Sequence, residues 1–252
     1  MAHIRNILNY LFSFVRHTLI ENKRLKTWEI DQHLIKLFDK HNIDCVIDVG
    51  ANRGQYCEYL RSNPGYKGLV VSFEPIPENI AIIKEKSKKD CNWEIYGFAL
   101  GKESGEKEFN IMETTEFSSF YRPAHDKIQS LMNKNKIART EFVKIERLDK
   151  ILPEIIKNHN VSNIFLKMDT QGYDMEVLEG LGDSYSDLRA IQTEAPVLRL
   201  YQEAPTFTES INNLLSKNYF ISGLFPVNRD INLLIYDIDC IMINGRYCNL
   251  NQ

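Results

Sequence analysis

No part of the chain restricts its fold more than Asp44-Cys-Val-Ile-Asp-Val-Gly-Ala-Asn-Arg-Gly-Gln-Tyr56. Cys45 to Val49 is a short, β-branched apolar run, the pattern of a buried strand. It breaks at Gly50, and Gly54 leads into the apolar-periodic segment Tyr56 to Leu60, which predicts a helix. Strand, glycine turn and helix start together bring backbone close to a ligand at a helix N-terminus. The spacing is Asp-x-Gly-x-x-x-Gly, unlike the Gly-x-Gly-x-x-Gly of dinucleotide binders. Asp48, one pleat before the turn, suits a cationic ligand group better than a pyrophosphate.

A second strand, Gly68 to Phe73, ends at Glu74, about twenty residues past the glycine turn, where an acid in a nucleotide-binding βαβ unit bonds ribose hydroxyls. A ligand with a ribose, a positive charge and no phosphate satisfies both acids, and S-adenosylmethionine is such a ligand. The alternative reading of the same residues is a tight strand-to-helix turn in an unrelated α/β protein.

Around this unit the chain alternates strand and helix from residue 43 onward, the signature of a mostly parallel sheet. Further strands are predicted at Trp93 to Leu100, Asn163 to Asp169 and Leu188 to Thr193, with helices at 78–88, 147–156, 173–181 and 206–217. The last two strands, 219–225 and 231–243, are joined too closely to be parallel, so the final one is expected as an antiparallel hairpin partner. Between Gly101 and Arg147 lies an irregular insertion. Lys107 to Ile111 and Phe142 to Ile145 can pair as added strands, and the aromatic Phe117-Ser-Ser-Phe-Tyr-Arg-Pro123 reads as a lid or substrate loop.

Residues 1–42 form an expected N-terminal helical extension to a domain over 43–252. Ile4, Ile7, Leu8, Leu11, Phe12, Val15 and Leu19 recur at helical spacing with basic residues nearby, too short and polar a run to span a bilayer. The favoured expectation is packing on the domain or on a second subunit of a homo-oligomer; peripheral contact with a membrane is the alternative. A net charge of −3 and a pI near 6.1 give no reason to expect a nucleic-acid partner. The five scattered cysteines suggest reduced thiols, hence a cytoplasmic protein.

Val46-Ile-Asp-Val-Gly-Ala-Asn-Arg-Gly-Gln-Tyr56, Phe73-Glu-Pro-Ile-Pro77, Leu166-Lys-Met-Asp-Thr-Gln-Gly-Tyr-Asp174 and Val177-Leu-Glu-Gly180, in that order, resemble the FkbM-family methyltransferases over about residues 43–243. The resemblance implies the Rossmann-like seven-stranded fold with a reversed last strand, S-adenosylmethionine as cofactor, and methyl transfer, usually to an oxygen. It makes a sugar or glycan hydroxyl the natural acceptor. Where family members often carry Val-Glu-Gly, this chain has Thr170-Gln-Gly172, so a carboxylate role does not transfer to position 171.

Ligands in open α/β sheets sit beyond the carboxyl ends of the strands, and Asp48, Glu74, Asp169 and Glu194 are all expected there. The expected cofactor contacts are Asp48, Gly50, Asn52, Gly54, Gln55, Tyr56, Glu74, Pro75, Ala99 and Ser119. Asp169 is the first candidate for the base that takes the acceptor's proton, with capping of the following helix as its structural alternative. Glu194 is expected to orient the acceptor, and His125 is a further candidate base. A divalent ion held by Asp169 and Glu194 is the less favoured option, and no metal ligand is assigned. A nicotinamide oxidoreductase and a non-catalytic cofactor-binding scaffold are the competing classes.

Overall fold

The computed structural model describes Leu25, residues 27–124 and residues 136–248. The amphipathic run 4–19 and His125 lie outside the described residues. Among those described, no helix is long and apolar enough to cross a membrane.

Seven strands form one sheet: β1 (Cys45–Val49), β2 (Leu69–Phe73), β3 (Trp93–Tyr96), β7 (Ile164–Met168), β8 (Leu188–Pro196), β9 (Tyr219–Arg229) and β10 (Ile235–Asn244). Their order is β3-β2-β1-β7-β8-β10-β9. β1, β2, β3, β7 and β8 run parallel, and β10 pairs antiparallel with both β8 and β9. β10 thus inserts between β8 and β9, and its short connection to β9 makes that pair antiparallel. The chain order reverses between β1 and β7, which places a crevice beyond their carboxyl ends.

β1 and β7 are buried along their whole length, because helices cover both faces. One face packs α4 (Leu148–His159), α5 (Asp174–Glu179) and α6 (Phe207–Ser216) through Leu152, Ile155, Val177, Leu178 and Ile211. The other packs α1 (Trp28–Lys40) and α2 (Gln55–Ser62) through Leu34, Leu37, Phe38, Cys57 and Leu60, with Ile83 of α3 (Pro77–Ser87). α1 therefore shares the core of the domain that follows it, and nothing interrupts the packing at residue 42. Pro153 sits in the second turn of α4, where its missing N–H forgoes one intrahelical bond, to the Asp149 carbonyl.

Several boundaries differ from the sequence expectation. The third strand stops at Tyr96; after Gly97 and Phe98 the chain turns, and β4 (Ala99–Leu100) joins β5 (Gly105–Met112) and β6 (Ile137–Glu146) in a separate three-stranded sheet of order β4-β6-β5. β5 and β6 are the pair expected from the alternating runs, antiparallel with Lys107 opposite Val143. The helix expected at 173–181 contracts to α5, because Gly180 packs against the Gly101 carbonyl, where a Cβ would approach to 2.2 Å. β8 runs on to Pro196, so Glu194 lies within a strand paired to Asp239 of β10.

Candidate functional site

The turn after β1 is held by its own backbone. Gly50 (φ +79°), Asn52 (φ +47°) and Gly54 (φ +80°) alternate into the left-handed region. At Gly50 a Cβ would stand 2.0 Å from the Asp169 carbonyl oxygen, so only glycine lets β1 and β7 leave the sheet side by side. Every N–H in this turn is engaged within the protein. Gly50 and Ala51 donate to the Phe73 carbonyl, Asn52 to Glu74 Oε2 at 2.8 Å, Arg53 to Gln55 Oε1 and Gly54 to the Ala51 carbonyl. The turn therefore offers no free amide cradle for a pyrophosphate.

Two adjoining cavities open beyond the strand ends. The first is lined by Gly50, Asn52, Glu74, Pro75, Ala99 and Phe120 among others. The second is walled by Gln55, Tyr56, Lys167, Gln192, Glu194 and Asp239. Gly50, Asn52, Glu116, Asp169 and Gln171 line both. The insertion straps across this junction: Thr115 Oγ1 donates to Asn52 Oδ1 at 3.1 Å, Gln55 Nε2 to Glu116 Oε1 at 3.2 Å, and Tyr201 Oη bonds the Phe117 carbonyl at 2.8 Å.

In the first cavity Glu74 is 4% exposed. Its Oε1 accepts from the Ile76 N–H at 2.9 Å and from Asn79 Nδ2 at 3.3 Å. Burial pushes its pKa up to about 7 against these donors, which pull it down. Ile76, Phe73, Leu100, Phe109 and Tyr173 supply apolar wall in the same cavity.

The second cavity is organised by a buried lysine. Lys167 Nζ stands 3.2 Å from Asp48 Oδ1, 3.6 Å from Asp169 Oδ2 and 4.9 Å from the centre of the Tyr56 ring. The contact with Asp48 is an ion pair bent away from hydrogen-bond geometry. Burial disfavours the ammonium, but Asp48, Asp169 and Asp239 outweigh it and raise the Lys167 pKa. The surrounding acids move the same way: burial, then the neighbouring carboxylates, holds Glu194 well above the ordinary carboxylate range. Asp239 is pushed up to about 6, by burial first and partly held back by its bond to Gln192.

Asp169 and Glu194 are joined through Gln171, whose Nε2 donates to Asp169 Oδ1 and to Glu194 Oε2, each at 2.9 Å. The Asp169 side chain is 40% exposed and faces the junction of the cavities. It caps no helix. The start of α5 carries no side-chain cap, and Asp174, its first residue, braces the preceding turn to β8 by accepting from the Thr170 N–H at 3.0 Å, from the Thr170 hydroxyl, and from Thr193 Oγ1 at 2.6 Å. Among the described residues no three His, Cys, Asp or Glu side chains gather as a metal site.

The expected cofactor contacts thus divide. Gly50, Asn52, Glu74, Pro75 and Ala99 meet at the first cavity, while Gln55 and Tyr56 line the second. Three residues line neither. Asp48 is fully buried beneath the floor, and the cation beside it is Lys167, so the cationic group expected there is supplied by the chain itself. Gly54 packs on Trp93, whose ring a Cβ would approach to 2.5 Å. Ser119 turns inward to bond the Gln171 carbonyl at 2.9 Å, and its neighbour Ser118 lines the cavity instead. Lys167, Gln192 and Asp239 were missed from sequence. The signal available was polarity: each is a charged or amide side chain inside a strand that otherwise reads as buried.

The model of the methyltransferase FkbM domain matches residues 48–221. No curated protein sequence matches the chain. Among solved structures, TrmK of M. capricolum with S-adenosyl-homocysteine is 11% identical, with a TM-score of 0.42 over 83% of this chain and 68% of that one. Magnesium protoporphyrin IX methyltransferase of Synechocystis PCC 6803 with bound SAM is 10% identical, with a TM-score of 0.46 over 96% of each chain. Fibrillarin of Aeropyrum pernix, also with S-adenosyl-L-methionine, is 8% identical, with a TM-score of 0.46 over 79% of this chain and 66% of that one.

Proposed function

Because the chain belongs to the FkbM methyltransferase family, we infer that it moves the methyl group of S-adenosylmethionine to a hydroxyl of a neutral sugar or glycan. The observation that carries the reading is Asp169, a half-exposed carboxylate at the one place where the two cavities meet.

The first cavity suits the cofactor. Glu74 offers a carboxylate to the ribose hydroxyls, Asn52 and Ala99 stand beside it, and Phe73, Ile76 and Phe120 give the apolar surface an adenine ring needs. The fully bonded turn at Gly50–Gly54 favours this ligand over a nicotinamide dinucleotide, whose pyrophosphate would find no free N–H there. When bound, the cofactor supplies an electrophilic methyl on a sulfonium and leaves as a thioether.

The second cavity suits a polyhydroxylated acceptor. Gln55, Gln171, Gln192 and Asn228 offer donors and acceptors, and Tyr56 and Tyr59 offer ring faces. The one lysine of this cavity, Lys167, is already paired with Asp48 and Asp169, so it offers no free cation to a uronic acid or a phosphorylated sugar. Asp169 takes the hydroxyl proton as the oxygen bonds to the methyl carbon, with the Lys167 ammonium 3.6 Å from its Oδ2. Glu194 orients the acceptor from β8.

The test is direct. Titration calorimetry should detect binding of S-adenosylhomocysteine and none of NAD. Methyl-labelled cofactor incubated with a panel of neutral, amino and uronic glycosides should label an oxygen of a neutral or amino sugar. Binding of NAD, or label found only on nitrogen, would overturn the reading.

A further inference from the structure

The bridge between Asp169 and Glu194 is built to a closer tolerance than its surroundings. Gln171 adopts φ +54°, a left-handed conformation that an unbranched side chain occupies only when its neighbours hold it there. They hold its carbonyl and both atoms of its side-chain amide. The backbone carbonyl accepts from Ser119 Oγ at 2.9 Å, Nε2 gives one N–H to each carboxylate at 2.9 Å, and Oε1 lies 2.8 Å from Tyr201 Oη. The orientation of the amide follows from these partners: with nitrogen and oxygen exchanged, the carbonyl would face two carboxylates. Burial holds the Tyr201 hydroxyl in its protonated, donating form. Its proton is shared between Gln171 Oε1 and the Phe117 carbonyl, so the strap over the cavities and the bridge between the acids are fixed by one hydroxyl.

We propose that Gln171 is the positioning residue of this site, its amide taking the place between Asp169 and Glu194 that a divalent cation takes between paired carboxylates. An amide in that position joins two acids by hydrogen bonds without adding charge. It leaves Asp169 its second oxygen, Oδ2, for a proton, with Lys167 behind it. A third carboxylate at position 171 would reverse this, because three acid oxygens around one point repel until a cation joins them. The proposal rests on methyl transfer for its catalytic meaning but not for its geometry, and the experiment separates the two.

Gln171→Glu keeps the shape of the side chain and the bond from Tyr201, and replaces only the two donors. Mn²⁺ titration followed by electron paramagnetic resonance should find no ion held by the wild type at millimolar metal. Gln171→Glu should take up one ion, and adding Asp169→Asn should abolish that uptake. Uptake by the wild type that is lost in Asp169→Asn would overturn the proposal, as would a folded Gln171→Glu that takes up nothing. If Gln171→Glu fails to fold, the wild-type and Asp169→Asn titrations still decide whether the pair holds a cation. In metal-free buffer, the acidic limb of the kcat profile should move up by about one pH unit or more in Gln171→Glu, the expected effect of a like charge beside the base. It should move up less in Gln171→Leu, which removes the amide donor without adding a charge, with kcat reduced and the cofactor KM unchanged. An unshifted Gln171→Glu profile would refute the positioning role. Should the wild type methylate nothing, the Mn²⁺ measurements still stand on their own.

Discussion

The two cavities meet at Asp169 but are made of different material. The first is shaped by main chain: a glycine turn with every N–H bonded inside, and a buried acid, Glu74, fixed by two N–H groups and the Asn79 amide. The second is shaped by side chains from β1, α2, β7, β8 and β10 that converge on the Lys167 ammonium. A main-chain site tolerates little change in any residue that sets its dihedrals. A side-chain site can be retuned one residue at a time, as befits the half that must recognise the acceptor.

That contrast is broken most forcibly at Gly50. Gly50→Ala places a Cβ 2.0 Å from the Asp169 carbonyl in a backbone conformation that disfavours alanine. Backbone would have to move on both strands, so a loss of about 4 kcal/mol or more is expected, at the severe end for single substitutions. Thermal denaturation should show the loss, and both cavities should fail together. A well-folded Gly50→Ala with normal S-adenosylhomocysteine affinity would show that the turn is not the common support.

Asp169→Asn tests the opposite limit, a side chain whose loss spares the frame. Methyl transfer should fall by about 10²–10⁴ while melting temperature and S-adenosylhomocysteine affinity stay near wild type. Single-turnover rates with a competent glycoside make the comparison. Near-normal turnover would remove Asp169 from the chemistry.

The same contrast decides how far the sequence can be read. The Gly50–Gly54 turn, Glu74 and the reversed β10 are legible because local rules set them: glycine spacing, a strand end, a connection too short for a crossover. The Asp169–Gln171–Glu194 bridge is not, since it depends on β7 and β8 pairing with Met168 opposite Thr193 and on Tyr201 arriving from a later loop. Asp48 illustrates the limit in one residue. Its position in β1 was readable, but its partner, Lys167, is more than a hundred residues away and appears only when β1 pairs with β7, Asp48 opposite Lys167. The break of the third strand at Gly97 was hidden for a similar reason. Trp93 to Leu100 is apolar apart from Glu94, and only the separate sheet with β6 draws Ala99 and Leu100 away.

Glu74 gives the smallest and most discriminating effect, because its charge changes near neutral pH. In the folded protein its pKa is about 7, against an ordinary value of 4.5. The folded state therefore binds the proton more tightly than the unfolded one, and the ligand-free fold loses stability as pH rises from about 4.5 through 7. Cofactor binding should run the other way. Ribose hydroxyls donate to an ionised carboxylate more strongly than to a protonated one, so S-adenosylhomocysteine affinity should rise as pH increases through about 7. Glu74→Gln removes the titration and leaves one of the Asn52 and Ile76 N–H groups facing an amide NH₂. Its affinity should be weaker by about 1.5–3 kcal/mol above pH 7.5 and nearly independent of pH between 6 and 8, a window of about one unit on either side of that titration. Asp169→Asn should keep the wild-type pH dependence of cofactor binding, since its carboxylate serves the acceptor half. If Glu74→Gln retains the wild-type slope, or Asp169→Asn loses it, the division of labour between the two cavities is drawn in the wrong place.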